Sequence, residues 1–241
     1  MKKLFIMLTA ISLLSFGMVS CDPTDDTTNN QTNPTNPTNP TNPTTGDWVD
    51  LGLPSGLLWA KCNIGATTPE GYGDYYAWGE TRTKETYNWS TYCYATVDVD
   101  SNISTLTKYN TSEAYGEVDN NLMLEAADDA ATVVLGTEAR IPTKAEWQEL
   151  IDNTTAVWTK VNGVYGRKFT AANGNSLFLP ESGRYYNSWP YDVGTDGYYW
   201  SSSLNESFPD RAWGIYFHSD SYGVRDHSRF NGLSIRAVRT R

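Results

Sequence analysis

The sequence predicts an α+β protein: a twisted antiparallel sheet with two helices and long ordered loops. Three observations carry this. From Trp48 onward, glycine and aromatic residues punctuate short apolar runs of strand length. Helical periodicity with a start or stop signal occurs in only two stretches. All nine tryptophans lie beyond residue 47, and aromatics make up 13% of the sequence, enough apolar area to support one large core.

Taken in order, Trp48-Val49-Asp50-Leu51 and Leu57-Leu58-Trp59-Ala60 read as short strands around the turn Gly52-Leu53-Pro54-Ser55-Gly56. Residues 63–118 are rich in glycine and proline, yet their many aromatics predict packed loop rather than disorder. Leu124 to Leu135 contains Ala126, Ala127, Ala130 and Ala131 and ends at Gly136, which predicts a helix with a glycine stop. In this stretch the acids Asp128 and Asp129 suit the positive end of a helix. The second helix is predicted from Thr143 to Ile151. Thr143 and Glu146 form a capping box, and Trp147, Leu150 and Ile151 share one face. From Phe169 the chain reads as β again. The candidates are Ser176 to Leu179, Tyr198 to Ser201, Trp213 to Phe217 and Ser234 to Val238. No solenoid-type repeat is present.

The N-terminal region is of a different kind. Lys2 and Lys3 precede an apolar block from Leu4 to Val19, too short for a comfortable membrane span and suited to a signal peptide over residues 1–20. Met18-Val19-Ser20-Cys21 resembles the bacterial lipobox, which implies cleavage before Cys21 and its acylation. The acids Asp22, Asp25 and Asp26 are similar to surface-export tags of Bacteroides lipoproteins. Residues 21–46 then form an expected stalk of Thr, Asn and Pro, able to reach roughly 60 Å at about 3.1 Å per residue. The expected folded domain is 47–241, held at the outer membrane and facing the cell exterior.

Composition narrows the function. The formal charge is −10, and removal of Lys2 and Lys3 makes it −12. With no Lys/Arg cluster, a nucleic-acid or anionic-lipid partner is not expected. Beyond Cys21 only Cys62 and Cys93 remain. A disulfide between them, worth about 3–4 kcal/mol, and a pair of buried thiols are both open readings.

Several phrases together resemble a known family. They are Val49 to Gly56 with Leu58-Trp59-Ala60, Tyr72 to Glu80, Arg140 to Trp147, Asn173 to Pro180, Tyr198 to Ser203, and Ser234 to Arg239. In this order they resemble the Fibrobacter succinogenes major paralogous domain of Bacteroides surface lipoproteins. Arg140-Ile141-Pro142-Thr143 with Glu146-Trp147 is also similar to the formylglycine-generating enzyme family. That wider resemblance implies a C-type lectin-like fold with the chain ends on one strand pair. Leu135 to Ala139 departs from the glycine- and tryptophan-containing run usual before the Pro-Thr motif.

The search for chemistry favours binding over catalysis. No cysteine follows Cys93, so the cysteine pair of formylglycine-generating enzymes has no counterpart. The calcium-lectin motifs Glu-Pro-Asn, Gln-Pro-Asp and Trp-Asn-Asp do not occur, nor does a phosphate loop or a Gly-x-Ser-x-Gly elbow. His218 and His227 lie nine apart without a neighbouring cysteine, a spacing that fits no common metal site. No catalytic residue, metal or cofactor is expected.

The late segment from Leu204 to Leu233 is the expected ligand face, as the lectin-like resemblance implies. The candidate contacts are His218, Asp220, Tyr222, Arg225, Asp226, His227, Arg229 and Phe230. Tyr and Arg dominate binding hot spots because they combine area with directed hydrogen bonds. The expected partner is an extracellular protein or glycan. Related proteins with this ending resemble targets of diversity-generating retroelements, which implies codon diversification of this segment. A structural or adhesive envelope component and a carbohydrate-active enzyme are the competing readings.

Overall fold

The structure is a computed structural model that describes residues 48–100 and 102–241. The signal segment, the lipid-attachment residue Cys21 and the stalk expected from the sequence lie outside the described residues. Among the described residues no helix is long and apolar enough to cross a membrane.

Trp48–Asp50 (β1) and Leu58–Ala60 (β2) form the expected antiparallel pair, with Val49 opposite Trp59. The long loop region holds one small hairpin, Ala95–Val97 (β3) with Ile103–Leu106 (β4). Its aromatics Trp78, Tyr87, Tyr92 and Tyr109 are buried, so packed loop was the right expectation.

The first expected helix is broken in two. Ala126–Asp128 is a single 3-10 turn, and Ala130–Leu135 (α1) is the α-helix. Asp129 between them is extended. One carboxylate oxygen caps α1 by accepting from the Thr132 amide at 3.0 Å, and the other accepts from the Ile141 amide at 2.9 Å. With its backbone extended, Asp129 serves as the N-cap, and the α-helix starts only at Ala130. Asp128 does not serve the helix end; it takes the Lys108 ammonium at 2.5 Å and the Tyr109 hydroxyl at 2.6 Å.

Ala139–Arg140 (β5) leads into Lys144–Asp152 (α2), where the Thr143–Glu146 capping box forms as expected. The Arg140 guanidinium pairs both Glu146 oxygens, at 2.6 and 2.7 Å. Burial raises the Glu146 pKa, but the Arg140 hydrogen bonds and charge outweigh it and hold the carboxyl below its usual value.

The second β region begins earlier than expected. Thr154–Val161 (β6) and Val164–Ala171 (β7) form a hairpin through Asn162 and Gly163, both at positive φ, as a tight two-residue turn demands. Ser176–Pro180 (β8) completes a sheet ordered β6-β7-β8. Then come Arg184–Tyr186 (β9) and Trp189–Tyr191 (β10), a hairpin, and Gly197–Leu204 (β11), Arg211–Phe217 (β12) and Tyr222–Ser228 (β13), a sheet in that order. Val238–Arg239 (β14) lies between β2 and β5 in the order β1-β2-β14-β5. The strands are antiparallel, but the described sheets are several and small rather than one.

The expected strand Ser234 to Val238 explains the division. Only its end pairs regularly; the rest is an extended seam that bonds each neighbour once or twice. Trp200 N–H donates to Ser234 O, Ile64 N–H to Ile235 O and Ala60 N–H to Ala237 O, at 3.1, 3.0 and 2.9 Å. The first and last described strands thereby meet through β2, and Arg241 reaches Asp50 at 2.5 Å.

Two apolar clusters result. Trp78, Tyr109, Trp200, Leu233 and Ile235 belong to one; Trp59, Trp147, Phe169, Tyr199 and Phe217 belong to the other. Strand alternation divides them: along β11, Tyr198 and Trp200 face the first cluster and Tyr199 the second. The buried indoles of Trp78, Trp147 and Trp200 donate to the carbonyls of Ser201, Trp200 and Tyr76. Cys62 and Cys93 form no disulfide. Cys93 packs on the first cluster with its amide held by Glu80, and Cys62 lies in the field of Arg236, so different neighbours position each thiol.

Candidate functional site

Most of the expected ligand segment is not loop but the β12–β13 hairpin, in continuous register from Arg211 opposite Ser228 to Phe217 opposite Tyr222. β13 is an edge strand. The turn at its tip, residues 218–221, is closed by His218 N–H donating to Ser221 O at 2.9 Å. Arg167 of β7, only 4% exposed, clamps it from beneath. One guanidinium nitrogen donates to the carbonyls of His218 and Ser219 at 2.6 and 3.1 Å, and its plane lies 4.5 Å from the Tyr222 ring centre. A fixed turn on a rigid strand pair is a preorganised platform for contacts.

The expected contact residues divide into three groups. Asp220, Tyr222 and Arg225 are exposed, and they stand at the turn and along β13. Arg225 spends one donor on the neighbouring Val224 carbonyl at 3.0 Å and is otherwise directed to solvent. His218 and Asp226 are half-buried. Asp226 accepts from Asn205 at 3.0 Å and pairs with Arg211 at 3.6 Å, which engages it inside the hairpin.

The remaining three are corrected by their surroundings. His227 lies among the rings of Tyr198, Trp200 and Tyr216, and its Nε2 is buried without a hydrogen bond. Burial, with a smaller push from Arg184, lowers its pKa to about 4, so it is neutral at pH 7. It stands opposite Ala212, far along the hairpin from His218 at the turn, so the two histidines form no pair. Arg229 is fully buried. Its guanidinium donates to Tyr92 Oη at 2.8 Å, to the carbonyls of Pro209, Tyr109 and Lys108 at 2.9, 3.1 and 3.0 Å, and sits against the Trp78 ring. Phe230, 7% exposed, packs edge-on against Trp89. These two are core residues because the chain turns inward after Ser228 to begin the seam.

A second exposed group lies outside the late segment. On the β9–β10 hairpin, Trp189 stands opposite Tyr186 and Tyr191 opposite Arg184, so all four occupy one face. Trp189, Tyr191 and Tyr186 are 69%, 45% and 44% exposed. On the other face Tyr185 packs inward against Tyr75 and Tyr87. The signal was legible: Tyr185-Tyr186-Asn187-Ser188-Trp189-Pro190-Tyr191 places a turn pair between aromatic runs.

Two neighbouring acids are engaged by side-chain donors. Glu181, 1% exposed, accepts from the Trp158 indole at 2.6 Å, and burial raises its pKa. The nearby Asp196 accepts from Tyr216 and Thr195 at 2.6 and 2.7 Å, one donor on each oxygen. Of two surface depressions, one carries Asp152 among Asn153, Thr154 and Thr155, and the other carries no acid. Among the described residues no group of three or more His, Cys, Asp or Glu side chains is placed to hold a metal ion. Comparison of the chain with family models, with curated proteins and with solved structures gives no match.

Proposed function

We propose that this chain is a surface lipoprotein, anchored through Cys21 to the outer membrane and facing outward, that displays a non-catalytic ligand-binding domain. The domain is of the Fibrobacter succinogenes major paralogous type with a C-type lectin-like arrangement. Two helices, small antiparallel sheets, long packed loops and the shared sheet of β1 and β14 support that reading. The ligand is an extracellular protein or glycan. It is met by Asp220, Tyr222 and Arg225 at the tip and edge of the β12–β13 hairpin.

The observation that carries the reading is the clamp. Arg167 holds the 218–221 turn from inside the protein, while Asp220 and Arg225 are exposed and the Tyr222 ring, backed by Arg167 and Phe169, keeps part of its surface in water. Tyr and Arg on a fixed backbone give contact area and directed donors with little ordering cost. Screening the full chain on a protein and glycan array identifies the ligand. The double variant Tyr222→Ala, Arg225→Ala should then lose at least tenfold in affinity while far-UV circular dichroism and a cooperative thermal transition show that the domain still folds. Binding that survives the double variant overturns the site.

A further inference from the structure

We infer that the outer face of the β9–β10 hairpin is a stacking platform for the sugar rings of a neutral polysaccharide. This is a second binding face, beyond the one proposed for the β12–β13 turn. Trp189, Tyr191 and Tyr186 lie on it side by side, with the Tyr186 and Tyr191 ring centres 6.1 Å apart at 82°. Tyr186 is also backed by Phe230 at 5.6 Å.

The face is rigid for reasons already visible. Tyr185 anchors its reverse side in the core, Tyr185 exchanges backbone hydrogen bonds with Gly232 at 2.8 and 3.0 Å, and Asn187 does the same with Tyr87, both at 2.8 Å. Aromatic residues this exposed cost free energy in water unless something covers them.

Charge and size select the occupant. Arg184, which shares this face, is paired with Asp192 at 3.6 Å and lies over the Tyr198 ring. Around the hairpin tip stand neutral amides and hydroxyls. Thr86 and Ser188 share a hydrogen bond at 2.9 Å, and Asn88 donates to Asn187 at 3.2 Å. Neutral donors and acceptors beside exposed rings match sugar hydroxyls beside the apolar C–H face of a pyranose. The weakly positive C–H groups meet the negative face of each ring.

An acidic polymer meets an Arg184 already paired with Asp192 and a protein of net charge −10. The exposed area of the three rings is roughly 300 Å², taking about 200 Å² for a whole aromatic side chain. That is well short of the ~800 Å² per partner of a stable protein interface. It suffices for two or three sugar units, whose weak affinity a polysaccharide multiplies by repetition.

The test is affinity electrophoresis of the full chain in gels containing a soluble β-1,3-glucan, a galactomannan, an α-glucan or, as the anionic probe, polygalacturonate. Retardation by at least one neutral polymer and none by polygalacturonate is expected. Trp189→Ala should reduce that retardation at least tenfold, Tyr191→Ala by a comparable amount, and Trp189→Phe should retain most of it. Far-UV circular dichroism should be unchanged, since these rings lie outside the buried core. Tyr222→Ala with Arg225→Ala should leave the retardation intact, which separates this face from the β12–β13 turn. The inference is overturned if no neutral polymer retards the chain, if Trp189→Ala is retarded as strongly as the parent, or if only polygalacturonate acts.

Discussion

Arg229 and Tyr222 are both polar-tipped residues of one late segment, yet they do opposite things. Among the described residues Arg229 pairs with no carboxylate; carbonyl oxygens, one hydroxyl and the rings of Trp78, Tyr92 and Tyr109 answer its charge. Removing it strands those acceptors in the core. We predict that Arg229→Ala costs about 3–5 kcal/mol in urea unfolding. Lysine, a point charge with three donors, should recover less than half of that.

His227 gives the second prediction at this scale. Its ordinary pKa of 6.5 falls to about 4 in the fold. Between those values the unfolded chain takes a proton that the folded chain refuses. The stability linked to this group is therefore complete above pH 6.5 and is lost as pH falls toward 4. Across that window the parent should lose about 2–3 kcal/mol more than His227→Phe, measured by denaturation at several pH values.

At the scale of elements, α2 is the most sequence-determined part of the fold. Its cap, its buried Trp147 and Leu150 and its pairing with Arg140 all follow from adjacent residues. Thr143→Ala removes the acceptor for the Glu146 amide, and we predict a loss of about 1 kcal/mol by thermal denaturation. The α1 region shows where local reading stops. Alanine content favoured one helix, but Asp129 is drawn to the Ile141 amide of a later segment, and no periodicity shows that partner. β6 and β7 are the opposite case. The Asn162-Gly163 pair is a local hairpin signal, since both residues take the positive φ that a two-residue turn requires. At the candidate site, the alternating Trp213, Ile215 and Phe217 suggest a half-buried strand, and Ile215 and Phe217 are buried while Trp213 is only partly so; β13 escapes because its polar residues look like loop until β12 pairs with them.

For the whole molecule, the C-terminal seam joins the two clusters. Ile235 and Ala237 enter one and Val238 the other, while backbone hydrogen bonds reach β2, β11 and the loop at Ile64. We predict that a chain ending at Ser234 shows no cooperative thermal transition by circular dichroism. That chain lacks Ile235, Ala237 and Val238, and its β2 and β5 lose the strand that lies between them. A preserved transition would show that the clusters hold together without the seam. The same seam accounts for the buried end of the expected ligand segment. Once the chain must turn inward at Arg229, neither that residue nor Phe230 can stand at a surface.

By itself the sequence determined what depends on near neighbours: the mixed class, the cap and face of α2, the β1–β2 turn, and a domain rich in buried aromatics. It also picked Asp220, Tyr222 and Arg225, whose exposure agrees with their character. Only the tertiary structure decided which polar residues face water. Arg229 is buried because acceptors from Lys108, Tyr109 and Pro209 converge on it, and Trp189 is exposed because Tyr185 takes the inward side of its hairpin. Burial depends on partners distant in sequence. Composition can report a residue's preference for such an environment, but only the fold supplies it.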